Sequence, residues 1–117
     1  MLVPRRSWIL LWPLLAGSAP GHTAPEVTLA IHLFQFQPRS VEVAAGTRVT
    51  WTNGDEIEHT VTSGDGEAAD GRFAGIVVGK GSSFTQQFDQ PGVYGYFCDR
   101  HHFMRGEIRV LSGKAGI

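Results

Sequence analysis

The sequence predicts an all-β fold, a small antiparallel β-sandwich of Greek-key type. Three observations carry that expectation. Apolar side chains alternate with polar ones in several short runs. Turn-forming residues separate those runs at regular intervals, and nothing after the first two dozen residues has a helical period.

Residues 1–24 stand apart from that pattern. Arg5 and Arg6 give a positive start, Trp8 to Leu15 an apolar run, and Ala16-Gly17-Ser18-Ala19 the small residues suited to cleavage. This is the make-up of a secretory signal peptide, with cleavage expected between residues 19 and 24. The apolar run is broken by Pro13 and falls well short of the roughly 20 residues that span a bilayer. Arg5-Arg6 also suits twin-arginine export, so both export routes stay open. The folded domain is then 25–117.

Each element of that domain has its own signal. Val27, Leu29 and Ile31 alternate with Thr28, Ala30 and His32 in a first strand. The phase slips before Phe34 and Phe36, which predicts a bulge near Leu33 that re-aims the strand from one sheet to the other. Pro38 ends the run. Val41 and Val43 mark a second strand, and Ala45-Gly46 a turn. Thr47 to Thr52 is a third strand with Val49 and Trp51 inward. Asn53 to Glu56 is a polar turn, and Ile57 to Thr62 a short strand. Ser63 to Gly81 reads as a long glycine-rich loop, part of it packed on the body. Phe84, Gln86 and Phe88 share one face of the next strand, and Gln90-Pro91-Gly92 is a turn. Val93 to Cys98 and Arg105 to Leu111 are the last strands, followed by a tail over 112–117. In a Greek key the last two strands can lie beside an earlier inner one, which could bring residue 59 near residues 98–104.

Composition narrows the function. The chain has ten basic and eleven acidic side chains; without Arg5 and Arg6 the balance is eight to eleven, a formal charge of −3. That argues against nucleic acid and against an anionic membrane surface as partner. Cys98 is the only cysteine, so no disulfide can form within the chain. A lone cysteine in an exported protein can be a buried inert thiol, an intermolecular disulfide or a metal thiolate.

Its neighbours favour a metal. A thiol, two imidazoles and a thioether fall within Cys98-Asp99-Arg100-His101-His102-Phe103-Met104. An electron-carrying copper needs ligands acceptable to both oxidation states: two histidines and a cysteine, with a weak methionine. The chain offers Cys98, His101 and Met104 in a Cys-x2-His-x2-Met loop, with His59 at a strand end upstream. Spacing prefers His101 to His102; His22 and His32 read as bystanders. Cysteine with two histidines also suits zinc, but the thioether of Met104 favours copper. The acidic set Asp65, Glu67 and Asp70 lacks the spacing of a calcium loop and reads as solvated.

These residues resemble a known family. Phe36-x-Pro38-x2-Val41-x-Val43-x2-Gly46-x3-Val49-x-Trp51-x-Asn53, then His59-x-Val61, then Tyr94-x-Tyr96-x-Cys98-x2-His101-x2-Met104-x-Gly106 is similar to the cupredoxins over nearly the whole domain. The short ligand loop is most similar to that of the amicyanins. The resemblance implies an eight-stranded sandwich with one type 1 copper, held strongly by His59, Cys98 and His101 and axially by Met104. It also implies that His101 is the electron port, in an apolar patch that includes Phe103. Two departures stand out. Thr60 replaces an asparagine that ties the ligand loops together, and Arg100 and His102 replace loop prolines, adding positive charge beside the port.

The expectation is therefore an exported, periplasmic, monomeric carrier of single electrons between redox proteins. It would have no catalytic residues: an oxidase or nitrite reductase needs more histidines for a second copper. The competing reading is a copper delivery or sequestration protein.

Overall fold

The structure, a computed structural model, describes residues 23–112. Residues 1–22 of the expected leader, His22 among them, lie outside these, as does the end of the tail. No helix among the described residues is long and apolar enough to cross a membrane.

Among the described residues nine strands form two packed sheets: β1 Glu26–His32, β2 Gln35–Gln37, β3 Ser40–Ala44, β4 Thr47–Asn53, β5 His59–Gly64, β6 Ala69–Val77, β7 Ser83–Phe88, β8 Gly92–Phe97 and β9 Arg105–Leu111. One sheet has the order β3-β9-β8-β5-β6, the other β2-β1-β4-β7. Most neighbours are antiparallel, but β1 pairs with β4 and β3 with β9 in parallel. Consecutive strands change sheet at β2–β3, β3–β4, β4–β5, β6–β7 and β7–β8, so the sandwich closes as a Greek key.

Alternation places the core as expected. Leu29, Ile31, Val43, Val49, Trp51 and Phe88 are buried. Trp51 is the centre of an aromatic cluster, stacked at 6.1 Å on Phe73 and 5.8 Å on Phe84, with Tyr96 edge-on at 5.2 Å. The Tyr96 hydroxyl and Trp51 indole nitrogen are buried without a well-formed hydrogen bond, and burial pushes the Tyr96 phenol up to about 12.

Two expectations change. The phase slip at Leu33 is not a bulge but a two-residue turn: Leu33 and Phe34 both have positive φ, 51° and 60°. It folds β2 back antiparallel on β1, and the change of sheet comes only after β2. The stretch 63–81 is not mainly loop, because β6 occupies Ala69–Val77 and pairs with β5. It is an edge strand in which only Phe73 and Val77 are buried, so it carries little alternation to read.

Pairing sets up the far end of the molecule. β8 lies between β9 and β5, with Phe97 opposite Thr62 and opposite Arg105. The end of β8 therefore delivers Cys98 beside the start of β5, which delivers His59.

Candidate metal centre

His59 is positioned by the turn before it. Asn53, wholly buried at the end of β4, donates through Nδ2 to the carbonyls of Ile57 (2.9 Å) and Val77 (3.1 Å). Its Oδ1 accepts the Asp55 N–H at 2.8 Å. These bonds satisfy the polar groups of a partly buried turn and fix where β5 begins.

The Cys98–Met104 loop is closed by its own backbone. The Cys98 N–H donates to the Met104 carbonyl (3.1 Å), the His101 N–H to the Cys98 carbonyl (3.2 Å), and the Met104 N–H to the His101 carbonyl (2.8 Å). Cys98 and Met104 are buried and His101 is partly exposed. Both His59 Nδ1 and His101 Nδ1 lie 3.8 Å from Cys98 Sγ. All three donor atoms lie within 4.8 Å of one another.

This spacing fits a metal. An ion with bonds of about 2.0 Å to nitrogen and 2.3 Å to sulfur would span a 3.8 Å edge at an angle of roughly 120°. Two imidazoles and a thiolate in a trigonal set match a type 1 copper centre. Met104 follows in the same loop and is 1% exposed. The structure thus gathers the His59, Cys98 and His101 expected from sequence. His32 and His102 are exposed; His102 turns instead to Phe97, at a ring distance of 5.2 Å, and to Asp99.

The departures from the family pattern acquire partners. The Thr60 N–H points to Cys98 Sγ at 3.4 Å, and the Thr60 hydroxyl accepts the Asp99 N–H at 2.7 Å. A hydroxyl thus ties the two ligand loops where the family pattern has an amide. Arg100 lies 3.4 Å from Glu58, so the positive charge expected beside the port is offset by a carboxylate on the other ligand loop.

Sequence reasoning missed two neighbours of the site. Asp55 Oδ2 accepts a hydrogen bond from His59 Nε2 at 2.8 Å. Burial pushes the Asp55 carboxyl up, but the Phe34 N–H, His59 and the Leu33 N–H together hold it below the usual range. The spacing Asp55-x3-His59 was the one available signal. Phe34 packs edge-on against the rings of His59 (5.1 Å) and His101 (5.0 Å). Around His101 the surface is apolar: Leu33 and Phe103 are each 68% exposed. A groove of about 250 Å³ runs between them past Phe34, Phe36, Arg39 and Met104.

A Greek-key sandwich that brings one thiolate and two imidazoles together at one end defines the cupredoxin class. The family model for copper binding proteins of the plastocyanin/azurin family matches residues 24–111, and the chain belongs to that family. It is 32% identical to an amicyanin of Paracoccus versutus over 84% of this chain and 72% of that protein. It is 35% identical to a plastocyanin of Scenedesmus fuscus, over 64% of this chain and 85% of the other. Among solved structures it resembles a purple cupredoxin from Nitrosopumilus maritimus, with a TM-score of 0.67 and 27% identity over 73% of this chain and 99% of that one. A Cu(I) amicyanin variant gives a TM-score of 0.65 and 26% identity, covering 73% and 81%.

Proposed function

We propose that the protein is an exported, periplasmic carrier of single electrons; His59, Cys98 and His101 would hold one copper ion, and Met104 would be its weaker ligand. The observation that carries this reading is the pair of 3.8 Å edges from Cys98 Sγ to the two Nδ1 atoms. The bound ion supplies one-electron Cu(II)/Cu(I) chemistry; the chain supplies a site that need not rearrange when the electron arrives. Cys98 and His59 are 0% exposed, so water is kept from them, and the loop's backbone bonds hold the donors in place. His101 alone of the trio reaches the surface, where Leu33 and Phe103 offer an apolar docking patch to donor and acceptor proteins. Such a chain transforms no substrate.

Copper-loaded protein is expected to show an intense visible thiolate-to-copper band and a narrow hyperfine splitting in EPR. A colourless Cu(II) form would sink the type 1 assignment. Cys98→Ala removes the colour and leaves the circular dichroism of the fold. Against the delivery reading, electron self-exchange should be fast and copper transfer to an acceptor chelator slow. Export is tested by the intact mass of protein recovered outside the cytoplasm, which should begin between residues 20 and 25.

A further inference from the structure

The Leu33–Phe34 turn is costly for the residues that form it. Two consecutive non-glycine residues occupy the left-handed region, and one of them, Leu33, leaves its side chain in solvent. Their successive N–H groups converge, as in an anion-binding nest. What they converge on is the carboxylate of Asp55, 22 and 21 residues away: the Leu33 N–H donates to Oδ1 at 2.8 Å and the Phe34 N–H to Oδ2 at 2.9 Å. The same Oδ2 accepts His59 Nε2 at 2.8 Å. The Asp55 side chain is only 9% exposed, and its own backbone is fixed by Asn53. One carboxylate therefore holds a metal-ligand histidine and a turn from the opposite sheet.

We propose that Asp55 is a positioning residue that locks the copper site in two ways at once: it fixes His59 as the Nε2–H tautomer with Nδ1 bare toward Cys98, and it seats Phe34 as an apolar roof over both imidazoles that bars exogenous ligands from the metal. The tautomer follows because a carboxylate only accepts, so the proton must be on Nε2. The roof follows because Phe34 meets His59 and His101 nearly perpendicular, at 86° and 81°, and because Asp55 takes its N–H in a two-residue turn that the β1–β2 pairing closes. The inference rests on the copper reading for the identity of the ion, but not for the clamp itself.

The variants are Asp55→Asn, Asp55→Glu and Phe34→Ala. Asparagine keeps the shape but turns one acceptor into a donor facing N–H groups, so the turn and His59 should loosen together. In metal-free protein, the Leu33 and Phe34 amide protons and the His59 Nε2–H signal should all shift in Asp55→Asn and recover in part in Asp55→Glu. In copper-loaded protein, Asp55→Asn should lose about 10- to 100-fold in copper affinity, show a widened hyperfine splitting and acquire an azide-to-copper band. Phe34→Ala should gain the azide band while keeping the His59 Nε2–H signal. A merely structural Asp55 would lower the melting temperature and leave the EPR parameters and azide inertness of the parent, and that result overturns the proposal. If Asp55→Asn does not fold, azide-inert Phe34→Ala protein overturns the roof. If the parent takes copper without turning blue, the carrier reading fails, and the clamp is then decided by the metal-free NMR: unshifted signals in Asp55→Asn refute it.

Discussion

Thr60 does two jobs with two different atoms. Its N–H faces the Cys98 sulfur and its hydroxyl takes the Asp99 N–H. The first survives any side chain; the second needs an oxygen. Thr60→Val should therefore keep the N–H to sulfur contact and strand the Asp99 amide, at a cost of about 1 kcal/mol, with Thr60→Ser restoring it. Denaturant unfolding of the metal-free variants measures the cost, and equal stability of valine and serine variants would refute the role. The ligand types were legible at this scale because copper demands them in a fixed local order: Cys98, His101 and Met104 advertise themselves by spacing. Asp55 does not, because an aspartate in a polar turn looks the same whether it faces water or an imidazole. Only the packing of β1's turn against it reveals the difference.

At the scale of strands, what could be read was what alternates. β4 declared itself through Val49 and Trp51, and β9 through Ile108 and Val110. β6 did not, because an edge strand needs only one covered face and here uses Phe73 and Val77 for it. Its glycines misled in the same way. Gly75 is not a loop residue: a Cβ there would overlap the Phe84 ring, so the glycine lets the sheets close over Trp51. The β1–β2 turn was hidden for the opposite reason. Left-handed two-residue turns are marked by Gly or Asn, and Leu33-Phe34 has neither; the β1–β2 pairing closes the turn and Asp55 takes both of its N–H groups. The same reasoning gives a prediction for Gly106, at the start of β9, where a Cβ would enter the Tyr96 ring. Gly106→Ala should destabilise the protein by about 1–3 kcal/mol through overpacking and broaden the near-ultraviolet signature of Tyr96 and Trp51. Unchanged thermal stability would count against so tight a contact.

For the molecule as a whole, acid is the expected weakness. Asp55, Asp65 and Asp70 all have carboxyls held below the ordinary 3.8. For Asp70 the chief cause is the hydroxyl of buried Ser63, followed by the Arg72 N–H. A carboxyl whose folded value lies below its unfolded one stabilises the fold above the unfolded value. That contribution is lost as pH falls from about 3.8 through the lower folded value. Metal-free protein should thus lose melting temperature steeply below pH 4, and Asp70→Asn should flatten that slope while being less stable at pH 7. A variant with the parent's slope would show that the Ser63 link does not matter in solution.

The same long-range pairing has a consequence in time. His59 and Cys98 are 39 residues apart and meet only where β5 lies beside β8. Contacts so distant in sequence form late, after the intervening chain has been ordered. A newly made chain still unfolded offers the Cys98–Met104 segment as a short soft-metal ligand, but not the fourth donor. Full-strength capture of the ion therefore waits on completion of both sheets, and the metal acts as an inspector of finished copies. Any chain stalled before β8 docks would hold copper loosely enough for a chelator to reclaim it.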